Sequence, residues 1–153
     1  MNLKNIAKKN IQIDKVLAQT LGYFGLIPFI LGTLLIIFSL SSYKVLELII
    51  IYAYTISAFL GGIYWGIGLF IQNKSKRYYI TSIIPSVLIL VSLFFELEKA
   101  SKIIFLIAVF NLFLLLELSF LKDELIPKWF FLLRIKLNII LTFLLLVIMI
   151  NFL

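Results

Sequence analysis

The 153-residue chain contains no cysteine and no histidine. The first absence excludes disulfides, thiolate metal sites and thiol nucleophiles. The second removes the side chain most often used as general base, metal ligand or haem ligand. Charge is also scarce: 14% of residues are charged, against about 25% in soluble domains. No Walker loop, HExxH, GxSxG or EF-hand-type acidic series occurs. "GGIYWGIG" (61–68) is glycine-rich, but it lies inside an apolar run with no strand before it, so it is not a phosphate loop. Paired intramembrane carboxylates and a voltage-sensing cationic helix are missing too. These absences argue against an enzyme. They leave no residue to name as catalytic, cofactor-binding or metal-ligating, and no cofactor is expected.

Apolar residues, in contrast, make up 63% of the chain. They fall into runs long enough to cross a bilayer, which takes about 20 residues. The pattern predicts spans over 19–40, 46–71, 78–95, 102–121 and 131–152. They are separated by "SSYK", "QNKSKR", "ELEKASK" and "KDELIPK". No interval is long enough for a second domain. The expected fold is an all-α integral membrane protein, a compact bundle of five transmembrane helices behind a basic cytoplasmic tail (1–18). Five spans do not divide into two equal inverted halves. The run from Leu21 to Leu40 is too long for a signal-peptide core, and "SLSS" is a poor cleavage site.

Lys and Arg set the direction. The tail, the second loop and the fourth region together carry eleven of the fourteen cations, and the opposite side carries Lys44, Lys99 and Lys102. This predicts a cytoplasmic N-terminus and a C-terminus on the other face. The net charge of +7 is then explained by anionic lipid head groups on the cytoplasmic face, at about 1 kcal/mol per residue near the surface, without nucleic acid. The expected partners are membrane lipids, with a second copy of the chain or another membrane protein as further options. The expected address is the bacterial inner membrane, with the mitochondrial inner membrane as the alternative.

All seven glycines lie in the first two spans. Hydrophobicity cannot hold helices together in lipid; close backbone approach across small residues does. Ala58, Gly62 and Gly66 are spaced i, i+4, i+8 and form one small ridge, beside Gly61. Gly22, Gly25 and Gly32, with Ala18, offer a second small surface. The antiparallel course of the two spans predicts that these surfaces meet in the cytoplasmic half; a homodimer seam or a ligand-approach site are the alternatives. Pro28 and Pro85 are expected to kink the first and third spans. Trp65 and Trp129 are read as interfacial or cavity aromatics.

Glu117 lies inside the fourth span, and Arg134 enters the fifth from the same side. A Glu117–Arg134 pair would offset the cost of each buried charge, about 2.5–3.5 kcal/mol at mid-bilayer. Asn111 and Asn138 are expected to pack as interhelical amides.

"LGYFGLIPF" (21–29), "SAFLGGIYWG" (57–66), Pro85 and "PKWFFLLRIKLN" (127–138) resemble a family of small multi-pass membrane proteins of unknown function, with bacterial inner-membrane members and the mitochondrial transmembrane protein 69. The resemblance implies a multi-pass membrane domain and carries no activity. Two readings follow. One is a non-enzymatic structural, assembly or accessory subunit acting through helix–helix contacts. The other is a small oligomeric transporter or lipid-handling protein, with a cytoplasm-facing polar cavity floored by Glu117, Arg134, Trp65 and the glycine ridge.

Overall fold

The computed structural model describes residues 15–40, 42–70, 75–95, 97–120 and 127–151. Most of the basic tail, together with Lys74, Lys122, Asp123 and Glu124, lies outside the described residues. Helix α1 covers 15–24, followed by α2 (Ile27–Ile37), α3 (Ser42–Phe70), α4 (Ser75–Phe94), α5 (Lys99–Leu118) and α6 (Lys128–Ile150). Helices α1 and α2 together make one long apolar segment. With it, the described residues include five helical segments long and apolar enough to cross a membrane. They begin a few residues before the hydropathy runs do, because Lys15, Lys76, Lys99 and Lys128 are helical. Charged residues can extend a span into the head-group region without entering hydrocarbon.

The first segment breaks at Gly25–Leu26, where Leu26 N–H bonds the Tyr23 carbonyl at 3.0 Å instead of continuing the i→i−4 ladder. Pro28 causes this from inside the first turn of α2. It lacks an N–H and crowds the carbonyl four residues earlier, so the disruption lies on its N-terminal side. The kink expected at Pro28 is therefore centred before it. The Gly25 carbonyl in the break accepts a hydrogen bond from the Tyr52 hydroxyl of α3 at 3.1 Å, which keeps it satisfied away from water. Pro85 does not end α4, which runs on through it. Helix α2 closes with Leu40 N–H on the Leu35 carbonyl at 2.9 Å and Ser39 at φ 57°, a Schellman-type exit.

Helix α3 pairs most extensively with α4, and also meets α2 and α5; α5 packs on α3, α4 and α6, and α6 returns to α2. The α3–α4 seam uses Tyr54, Ser57, Gly61, Tyr64 and Gly68, all buried. Their alternating spacing of three and four residues is that of a left-handed helix pair. Gly61 lies so close to the Ser82 carbonyl and to Pro85 that a Cβ there would collide with backbone. Gly68 faces the Tyr79 ring, which a Cβ would meet at 2.9 Å. At the far end the Tyr54 and Ser92 hydroxyls bond at 2.8 Å.

The expected meeting of the Gly22–Gly25 surface with the Ala58–Gly62–Gly66 ridge does not occur. Gly22 faces Leu133 and Leu137 of α6, and Gly25 faces Tyr52. Ala58 and Gly62 are exposed, and a Cβ on Gly62 or Gly66 would meet no neighbouring atom within 4 Å. The reason is rotational. A helix surrounded by apolar groups on all sides lacks the polar face that would orient it, and α3 turns its 54–57–61–64–68 edge inward instead.

Candidate functional site

Among the described residues, helices α5 and α6 carry the buried charges, Glu117 and Arg134, together with the buried Asn138. On α6, Arg134, Asn138 and Thr142 recur every four residues and so share one face. That face looks onto α5. Arg134 Nε donates to Glu117 Oε1 at 3.1 Å and to Oε2 at 3.3 Å. Both residues are removed from the surface, Glu117 to 1% and Arg134 to 7% exposure. Further along, Asn138 Nδ2 donates to Asn111 Oδ1 at 2.9 Å. Asn111 Nδ2 donates to the Ile107 carbonyl at 2.8 Å and to Thr142 Oγ1 at 3.3 Å. An ion pair and an amide pair thus tie the two helices together where lipid supplies no hydrogen bonds.

Aromatic rings enclose the carboxylate. Tyr64 of α3 donates its hydroxyl to Glu117. Its ring lies 5.2 Å from Phe120, 5.4 Å from Phe113 and 6.3 Å from Tyr78. Tyr78 in turn stacks on Phe120 at 4.4 Å, and the Arg77 guanidinium lies 4.7 Å from the Phe120 ring. Glu117 therefore has a guanidinium on one side and a phenol on the other, and is itself buried.

On the other side of Arg134 lies a cavity of about 380 Å³, within the ordinary range of about 300–1,000 Å³ for small-molecule sites. The first segment, α3 and α6 form its walls, and the buried Phe110 of α5 lies on its inner side. Arg134 and Asn138 are its polar side chains; the other walls are apolar or glycine. Leu21 and Phe59 line it while being 58% and 66% exposed, so the cavity opens on the apolar flank of the bundle between α1 and α3. Gly22 and Gly25 border it as well, and their missing side chains keep that wall thin. The break before Pro28 also sits here, with Gly25 and Leu26 among the lining residues.

Of the residues singled out from the sequence, Glu117 and Arg134 are brought together. The floor expected for the cavity is not: Glu117, Trp65 and the Ala58–Gly62–Gly66 ridge do not line it. Glu117 is sealed behind the guanidinium. Trp65 is turned outward at 5.0 Å from Tyr79. Trp129 is half-buried at the basic end, with Lys15 Nζ 5.9 Å from its ring. Sequence reasoning missed Tyr64; its place in the 54–57–61–64–68 spacing was the available signal. It also missed Phe29, Ile63 and Leu137 as cavity walls, and in an apolar run nothing distinguishes them. Among the described residues, no three carboxylates converge in a way that would hold a metal ion.

Five helical segments long and apolar enough to cross a membrane are the mark of a multi-pass helical membrane protein. Residues 15–150 match the family described as "Protein of unknown function (DUF3429)", and the chain belongs to it. No curated protein and no solved structure matches the chain.

Proposed function

We propose that this protein is a non-enzymatic membrane protein that takes an apolar molecule from the surrounding bilayer into the cavity between the first segment, α3 and α6. The observation that carries this reading is the cavity itself: about 380 Å³, lined almost wholly by apolar groups and open towards the lipid-facing flank. A bundle acting only through helix–helix contacts has no use for such a space, since voids forfeit packing. The walls offer no nucleophile or general base. One guanidinium and one amide suit binding and orientation instead. The polarity imbalance of the loops favours a cytoplasmic N-terminus, with the cavity in the cytoplasmic half and the C-terminus on the other face. The Lys-rich N-terminal tail suits a bacterial inner membrane, and the sequence blocks quoted above favour kinship with mitochondrial transmembrane protein 69.

The test is to fill the cavity. Ile63→Trp adds bulk to its wall without touching the ion pair. After purification and extensive detergent washing, native mass spectrometry should find fewer retained lipids on this variant than on the parent, at equal folded yield. Equal retention would contradict the proposal.

A further inference from the structure

The polar groups of the cavity wall narrow the chemistry of its occupant. An arginine carries five N–H donors and no acceptor. Here Nε is committed to Glu117, while Nη2 is buried with no partner among the described residues. A donor left unmatched in a low-dielectric interior is costly. Asn138, the other polar wall residue, has its amide N–H on Asn111. Arg134 borders the cavity with one donor of its guanidinium enclosed and unmatched, so an oxygen acceptor beside Arg134 is a group this wall lacks.

Charge decides which acceptor. Glu117 already balances Arg134 at 3.1 Å. A carboxylate or phosphate brought to the same guanidinium would leave a net negative charge in an apolar pocket, close to a second carboxylate, and buried excess charge is heavily penalised. A neutral carbonyl satisfies the donor and adds no charge. Depth points the same way. Arg134 lies six residues into α6, or about 9 Å from its first residue. Lys15 and Trp129 mark the basic end above it, and apolar walls continue past it as far as Leu141. A molecule with a polar head at that end, a carbonyl one to two turns in and a hydrocarbon chain beyond fits this order of groups.

We infer that the cavity binds a glycerolipid by placing an acyl-ester carbonyl against the Arg134 guanidinium, with the acyl chain along the apolar wall. This deepens the cavity reading above and rests on it. The carbonyl is what the site recognises; the head-group phosphate is not.

The experiment titrates the delipidated full-length protein in detergent with three probes, read by native mass spectrometry. These are dioleoyl-phosphatidylcholine, its ether-linked analogue with the same head group and chains, and oleate. The diester should bind about tenfold more tightly than the diether, the size of one hydrogen bond to a charged donor. Oleate should bind more weakly than the diester. In the double variant Glu117→Gln with Arg134→Met, the ester and ether should bind alike, the chain still being accommodated. Equal binding of diester and diether by the parent protein would overturn the carbonyl assignment, and it would point to an anionic oxygen as the recognised group if oleate also bound well. Tighter binding of oleate than of the diester would overturn it as well. Loss of all binding, with Ile63→Trp indistinguishable from the parent, would instead remove the cavity reading on which the inference stands.

Discussion

Adjacent glycines on α3 should respond in opposite ways to the same substitution. Gly61→Ala places a methyl group against the Ser82 carbonyl at a separation that ordinary contacts do not reach, with Pro85 also within 3.5 Å. The obstacle is backbone, and α4 is anchored by its own ladder and by the Tyr54–Ser92 bond. The helices must move apart, and overpacking of this kind costs about 1–3 kcal/mol. Gly62→Ala meets no neighbouring atom within 4 Å, and alanine is the better helix former, by up to about 1 kcal/mol in water. It should be neutral or slightly stabilising. Gly68→Ala should fall between them, because the Tyr79 ring at 2.9 Å is a side chain that can tilt. The assay is reversible unfolding in mixed micelles, followed by far-ultraviolet circular dichroism. A Gly62→Ala loss equal to or larger than that of Gly61→Ala would refute the rotation assigned to α3.

Removing one partner of the buried pair, as in Arg134→Gln, should cost about 3–5 kcal/mol because it strands the Glu117 charge. The same change in a Glu117→Gln background should cost much less, and a double-mutant cycle with additive losses would reject the coupling. Asn138→Leu should cost about 0.6 kcal/mol, the average for interhelical polar contacts in membranes, read in the same unfolding assay. Tyr52→Phe removes the hydroxyl that satisfies the Gly25 carbonyl. It should cost about 1 kcal/mol and speed hydrogen exchange around the break before Pro28.

Much of this molecule can be read from its sequence, but unevenly. Span positions follow from hydropathy because lipid imposes length on every crossing segment. Glu117 and Arg134 stand out because charge in hydrocarbon must be explained. The rotation of α3 is a different matter. The i, i+4, i+8 ridge of Ala58, Gly62 and Gly66 permits close approach without requiring it. Gly61, outside that ridge, makes the close contact. In a soluble helix the polar face would have settled the question; here both faces are apolar. The cavity is further from view, since it exists only where the broken first segment, α3 and α6 fail to fill the space between them. Gly22, Gly25 and Pro28 contribute to it, but no spacing rule joins them to Ile63 or Leu137. Tyr64 shows the middle case. Its three-four spacing with Gly61 and Gly68 marks it as inward, although an aromatic near a helix end reads first as an interfacial anchor.

The most direct measurement of the cavity claim is photolabelling in the membrane with a phospholipid that carries a diazirine partway along one acyl chain. Labelled peptides are then mapped by mass spectrometry. Saturable labelling should concentrate on Phe29, Ile63 and Leu137 and should fall when unlabelled lipid competes. Labelling spread evenly over outward residues such as Leu90, Ile104 and Phe143, without saturation, would contradict the account.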